Sequence, residues 1–272
     1  MKDKLIGSMK KGDCIKNKKD SADKVAISIE GVSKSFHGRK VLEDINLDIY
    51  KGEIFVIMGG SGSGKSTLLR IMTGAIKPDI GRVCFLGRDI NNLNRIEAEK
   101  IRQSFGMSFQ SAALLDFLTV EENVSLPLKE HTRLSPKIIS MIARMKLDLV
   151  GLRGFEEYFP NELSGGMRKR VGIARAIAMD PSVIFYDEPT AGLDPIVCAV
   201  IDALIVDLAR RLNITSVVVT HNMESVFRIA DRVAMIYNGR ILEVGNREQI
   251  RNSGNEIVQQ FINGKVRGPI KL

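Results

Sequence analysis

The chain has 272 residues, 44% hydrophobic and 26% charged, with a formal net charge of +8. This length supports one large or two small domains with a substantial core, and the composition is ordinary for a globular protein. No apolar run approaches the ~18 residues that cross a bilayer, and the N-terminal lysines lack the apolar stretch of a secretory signal. Cys14, Cys84 and Cys198 are few, odd in number and scattered, which argues against a disulfide framework or a zinc site and suits a reducing cytosol. The basic balance admits nucleic acid or an anionic membrane surface as partner. Much of it sits in the first 24 residues, with Lys2, Lys4, Lys10, Lys11, Lys16, Lys18, Lys19 and Lys24. That segment reads as a solvated, disordered tail, with a membrane-surface or nucleic-acid arm as the alternative.

Taken in chain order, "AISIEGVSKSF" and "VLEDINLDIY" alternate apolar and polar, as half-buried strands do. "EIFVIM" is a short continuous apolar run, the pattern of a strand covered on both faces. A glycine-rich turn follows, then a helical "KSTLLRIMTG" ended by Gly74, and a further strand in "RVCFLG". Gln110 closes a short β-like run and opens onto a loop rich in leucine, Leu114-Leu115-Asp116-Phe117-Leu118, although loops are usually polar. From about 119 to 180 helical patterns dominate. Strand–helix alternation then returns with "SVIFYDEP", a helix over 196–212, "ITSVVVTH" and a short helix near 223–230. "DRVAMIYNGRILEVG" is a hairpin whose Asn238-Gly239 suits a type I′ turn, and 246–263 is weakly helical. The pattern is an α/β core interrupted by a helical insertion. The organisation expected is a basic tail over 1–24, a main domain over 25–245 with its helical part at about 111–180, and an extension over 246–272.

The strongest chemical signal is "GGSGSGKST". Gly59, Gly64, Lys65 and Ser66 meet the G-x-x-x-x-G-K-[ST] spacing between a buried strand and a helix. Gly59, Gly60, Gly62 and Gly64, with Ser61, Ser63 and Thr67, let the backbone wrap a phosphate and turn its N–H groups inward, where the helix N-terminus adds partial positive charge. Lys65 is expected at the β- and γ-phosphates and Ser66 on Mg²⁺. The alternative is an ordinary flexible glycine turn. In "VIFYDEPT" an apolar strand ends abruptly in Asp187 and Glu188, at the sheet edge where α/β ligands bind. Asp187 suits a Mg²⁺ partner, and Glu188 suits a base that polarises attacking water. Alone, the pair would fit helix capping as well.

"LSGGMRKR" upstream of "DEPTAGLDP", together with the phosphate loop, resembles the ATPase subunits of ABC transporters, over about 28–245 and with every motif in order. The resemblance implies a P-loop NTPase of the ABC type: a RecA-like core, an antiparallel β subdomain and an α-helical subdomain. It also implies that two copies sandwich ATP head to tail. By that resemblance Phe36 stacks on adenine, where the family more often has Tyr. Ser164, Gly165 and Gly166 contact the γ-phosphate held by the second copy, Asp194 joins the two sites, and His221 senses the γ-phosphate. Gln110 falls at the hinge between core and helical subdomain, within reach of Mg²⁺ or water. The greasy loop then serves a membrane permease as a groove for a short helix, or folds inward as core; an even division is expected. Gly60 stands where many relatives have Pro.

"NMESVFRIAD", "NVSLPLKEHT" and the tail "QQFINGKVRGPI" resemble, more narrowly, the ATPases of Mla-type phospholipid transporters, which are associated with MCE-domain proteins. This implies an ATP-hydrolysing subunit on the cytoplasmic face of the inner membrane, partnered by a permease and an MCE-domain protein and not by nucleic acid. The alternatives are a cassette serving another substrate, such as an amino acid or lipoprotein, and a soluble ABC ATPase acting on ribosomes or DNA. For the tail itself, Ile257, Val258, Phe261 and Ile262 at helical spacing fit a helix packed on its own core, or a clasp onto the second copy.

Overall fold

The computed structural model describes residues 24–270; the basic tail expected to be disordered lies outside them. Strands β1 (Val25–Phe36), β2 (Arg39–Tyr50), β4 (Ile80–Phe85) and β5 (Arg88–Asp89) form an antiparallel sheet in the order β2-β1-β4-β5. The remaining strands are β3 (Ile54–Met58), β6 (Phe105–Ser108), β7 (Val183–Asp187), β8 (Thr215–Thr220), β9 (Arg232–Tyr237) and β10 (Arg240–Asn246). They make a second sheet ordered β10-β9-β3-β8-β7-β6. It is parallel from β9 to β6, and only β10 runs antiparallel, through the Asn238-Gly239 turn with both residues left-handed.

The parallel strands read as continuous apolar runs because each serves two cores. Side chains alternate across a strand. Ile54, Val56 and Met58 of β3 therefore enter one cluster, and Phe55 and Ile57 the other. The first cluster lies under the helices α3 (Val120–His131), α4 (Pro136–Leu149), α5 (Gly165–Ala176), α6 (Pro195–Arg211) and α7 (Met223–Ile229). The second lies between the two sheets and takes Leu68, Leu69, Ile71 and Met72 of α1 (Lys65–Met72). β2, with one face solvated, keeps the alternation expected of it; the first half of β1 is buried throughout.

The helical insertion is anchored by caps. Thr119 and Glu122 form a capping box on α3, and the buried side chain of Asn123 stitches the preceding loop. Its amide donates to the carbonyls of Leu115, Leu118 and Thr119, and its oxygen accepts from the Leu115 amide at 2.8 Å. The leucine-rich loop is thereby split. Leu114 packs on the core, whereas Leu115 and Phe117 face outward, Phe117 with 76% of its surface exposed. The helix α2 (Arg95–Gln103) was not read from the sequence, although its capping box, Asn94 with Glu97, is a local signal. Cys198 is free, and Cys84 in β4 is disulfide-bonded, a bridge that the scattered cysteine spacing did not suggest.

At the C-terminal end, α8 (Arg247–Arg251) and α9 (Glu256–Ile262) fold back on the first core. Val258 is fully buried, and Ile257, Phe261 and Ile262 pack against the same core. Within this chain the tail thus takes the first of its two expected readings. No helix among the described residues is long and apolar enough to cross a membrane.

β6 and α5 approach so closely at Gly106 that an added Cβ would lie 2.1 Å from the Ala176 carbonyl oxygen. Gly106→Ala is expected to destabilise the fold by about 1–3 kcal/mol through overpacking. Urea unfolding measures it, and unchanged stability would show that the two elements are not held at this separation.

Candidate functional site

Four adjacent parallel strands, β3, β8, β7 and β6, deliver the candidate residues to one edge of the sheet. β3 runs into the glycine loop, β8 ends just before His221, β7 ends in Asp187, and β6 stops two residues before Gln110. A parallel sheet gathers function at its carboxyl edge because there the strands give way to loops free to bind.

The glycine loop requires its glycines at two points. Gly59 has φ 154°, and an added Cβ would sit 2.3 Å from the Ile236 carbonyl oxygen. Gly64 has φ 108°, and a Cβ there would meet Leu42 at 2.6 Å. Lys65 folds back, its ammonium donating to the carbonyls of Gly59 at 2.8 Å and Gly60 at 2.9 Å. Burial lowers its pKa, opposed by the charges of Glu188 and Asp187. The buried hydroxyl of Ser63 has no partner. The adjoining cavity, about 480 Å³, is lined by Arg39, Lys40, Val41, Gly62, Gly64, Lys65, Ser66, Thr67, Asn238 and Gly239. It holds three cations and no carboxylate, with an open backbone face at Gly62, and this donor set fits a polyphosphate. Phe36 lies at the end of β1, 39% exposed, with the Lys34 ammonium 5.4 Å from its ring centre.

Burial and the neighbouring Glu188 charge raise the Asp187 pKa, while Arg70, Lys65 and Lys169 oppose the rise. Glu188 is held in a left-handed backbone conformation, φ 46°. Its carboxylate is caught from one side. The Thr220 hydroxyl donates to Oε2 at 3.2 Å, the His221 amide reaches the same oxygen at 3.4 Å, and His221 Nδ1 lies 2.8 Å from Oε1. The sequence-derived pair Glu188 and His221 is thus in direct contact. Gln110 and Asp187 line a separate opening of about 500 Å³, so the glutamine faces the carboxylate strand and not the glycine loop.

Ser164 is the N-cap of α5, its hydroxyl accepting from the Met167 amide at 3.3 Å. Asp194 caps α6, taking the amides of Ile196 and Val197, both at 3.0 Å. The two caps adjoin. A Cβ on Gly166 would lie 2.6 Å from Val197, and one on Gly165 3.3 Å from Leu193. Ser164 and Asp194 are exposed and stand apart from the Lys65 cavity. Two site residues escaped the sequence reading. Lys169 donates to the Gln110 carbonyl at 2.5 Å and to that of Glu188 at 3.2 Å, and Thr220 braces the Glu188 carboxylate.

A glycine loop between a buried parallel strand and a helix, beside a strand ending in two carboxylates, defines a P-loop nucleoside triphosphatase. The ABC transporter family model matches residues 42–191. The intermembrane phospholipid transport system ATP-binding protein MlaF of Haemophilus influenzae is 42% identical over 246 residues, covering 90% of this chain and 93% of that protein. The probable ribonucleotide transport ATP-binding protein mkl of Mycobacterium leprae is 41% identical over 248 residues, 91% of this chain and 72% of that one. Among solved structures, the dimeric post-hydrolysis state of the ATP-binding cassette MJ0796 bound to ADP and Pi is 34% identical with a TM-score of 0.74, covering 81% of this chain and 98% of that one. The chain belongs to the ABC transporter family, and it is one of that family's ATP-hydrolysing cassettes.

Replacing Lys65 with Ala removes the ammonium that bonds the Gly59 and Gly60 carbonyls at the floor of the glycine loop. ATP affinity is expected to fall at least about tenfold, or ~1.4 kcal/mol. Titration with a fluorescent nucleotide tests this, and wild-type affinity would exclude Lys65 from phosphate binding.

Proposed function

We propose that the chain is the ATP-hydrolysing subunit of a membrane transporter that moves phospholipid between bacterial envelope membranes. The observation that carries the lipid reading is the end-to-end match to MlaF, which spans 93% of that protein against 72% of the ribonucleotide-named relative.

Glu188 is the group that orients and polarises water. Its carboxylate is anchored by Thr220, the last residue of β8, and by His221 just beyond it, so its direction follows the end of that strand. Lys65 and the amides of Gly59, Gly60, Ser61, Gly62, Ser63, Gly64, Ser66 and Thr67 hold the phosphates, and Phe36 the base. Mg²⁺ fits as the companion cation, supplying charge neutralisation on the phosphates. No group of three or more His, Cys, Asp or Glu side chains converges among the described residues. Ser66 on the glycine loop, with Asp187 and Gln110 from the neighbouring opening, would hold such a cation together with phosphate and water oxygens, a ligand set that Mg²⁺ favours.

A second copy supplies its Ser164, Gly165 and Gly166 to complete each site. Ser164 and the first amides of α5 form an exposed anion-binding terminus, and the adjoining Asp194 relays between the two sites. Leu115 and Phe117 present the apolar surface for a permease helix. The complex sits on the cytoplasmic face of the inner membrane with an MCE-domain protein as a further component.

Glu188→Gln keeps the shape and removes the charge. Steady-state hydrolysis is expected to fall at least ~100-fold with ATP binding retained. A coupled phosphate-release assay decides, and near-normal turnover would sink the assignment. Leu115→Asp with Phe117→Asp changes exposed positions, so the melting temperature should hold while permease capture in detergent drops, because a charge buried without a partner is costly. Full permease recovery at unchanged melting temperature would refute the docking role.

A further inference from the structure

The loop that carries Gln110 is held by α5 at three levels. Lys169 binds the Gln110 carbonyl at 2.5 Å. One turn on, Gly172 leaves room for Ala112, whose Cβ would lie 3.2 Å from any Cβ placed at 172. Near the helix end, Arg175 donates to the carbonyls of Ala112 at 2.6 Å and Ala113 at 2.7 Å. Those two alanines are left-handed, φ 62° and 47°, a conformation that costs an L residue roughly 1–2 kcal/mol each. Such a turn persists only where its surroundings impose it. Here the imposing element is one helix, and it is the helix that starts at Ser164.

Lys169 differs from Arg175 in where its second bond goes. Its ammonium also donates, at 3.2 Å, to the backbone carbonyl of Glu188. One buried cation therefore joins the glutamine loop after β6 to the carboxylate-bearing turn after β7, and this turn too is left-handed. Resting on the reading of Glu188 above, we propose that Lys169 is a positioning residue for hydrolysis: it sets the spacing of Gln110 from Glu188 and makes that spacing follow the position of α5. Movement of α5 against the sheet then draws the glutamine with it through three carbonyls and stretches the longer bond to Glu188 first. The charges of Glu188 and Asp187 favour the ammonium that burial disfavours. The same cation thus lowers the repulsion between the two adjacent carboxylates.

The test compares Lys169→Met, isosteric and apolar, with Lys169→Arg, which keeps charge and several donors. It uses the full chain assembled with its permease for turnover and the full chain alone for binding and hydrogen exchange. For Lys169→Met, kcat is expected to fall about tenfold with KM and ATP affinity within about threefold, the signature of a lost transition-state interaction. The Ala112 amide, which donates to the Phe109 carbonyl across the turn, should exchange about tenfold faster. Lys169→Arg should recover at least half of kcat and the slow exchange. Turnover within twofold of wild type, unchanged exchange at Ala112, or an Arg variant as impaired as the Met variant overturns the proposal. If Lys169→Met fails to fold, Lys169→Gln takes its place, and failure of that variant too would make the residue structural and overturn the proposal. Glu188→Gln run in parallel separates the two claims. Turnover surviving in it defeats the base assignment, whereas exchange at Ala112 judges the clamp by itself.

Discussion

Met58 of β3 pairs with Thr220 of β8, Val219 of β8 with Asp187 of β7, and Tyr186 of β7 with Ser108 of β6. These backbone pairings bring the ends of four strands level, and the candidate residues Lys65, His221, Glu188 and Gln110 follow from that level edge. A slip of one residue in any pair would turn the strand's apolar set inside out, since β3, β7 and β8 feed two different cores with alternate side chains. The register is consequently held on both faces at once. The positions from which Lys65, His221, Glu188 and Gln110 depart inherit that rigidity, and the side chains of Thr220 and Lys169 add to it beyond the strand ends.

The electrostatics follow from the same edge. Asp187 and Glu188 are neighbours in sequence, and bringing them half-buried to the end of β7 places like charges side by side. Lys65, Arg70 and Lys169 answer them from α1 and α5, so the two carboxylates are balanced by helices on opposite faces of the sheet. The dominant influence on both Lys65 and Asp187 is nevertheless loss of water, which pushes each toward its neutral form. Of the three cations that line the glycine-loop cavity, Lys65 is buried and already partly stripped of water, whereas Arg39 and Lys40 are exposed.

What could be read from the sequence was what is local in it. The glycine loop, the paired carboxylates and the Asn238-Gly239 turn are complete within a few consecutive residues, and each stands where its spacing placed it. The division of the leucine-rich loop was foreseen in proportion but not in person. It took the buried Asn123 side chain to fix Leu114 inward and Phe117 outward. Lys169 and Arg175 were invisible for a different reason. Their partners are backbone carbonyls, 59 to 63 residues upstream in the glutamine loop and, for Lys169, also 19 residues downstream at Glu188, and a carbonyl carries no residue type for a pattern to register. Helix α2 carries a local signal, a capping box within four residues, but it fully buries no side chain and lacks the apolar stripe that marks a helix.

Gln260 on α9 is buried, and its amide does the work of a strand. It donates to the carbonyls of Lys265 and Ile270, and its oxygen accepts from the Ile270 amide at 2.7 Å. Gly268 permits the close approach, for a Cβ there would stand 2.3 Å from the amide oxygen. The last described residues are therefore latched to their own helix by a single side chain standing in for a missing β-ladder. Shortening the chain after Ile262 does more than remove an appendage: it takes away the partners of the Gln260 amide and uncovers the side chain that the segment packs on. The end of this chain is thus part of the fold's internal hydrogen bonding, and a truncation meant to probe contacts with another subunit also perturbs the subunit that remains.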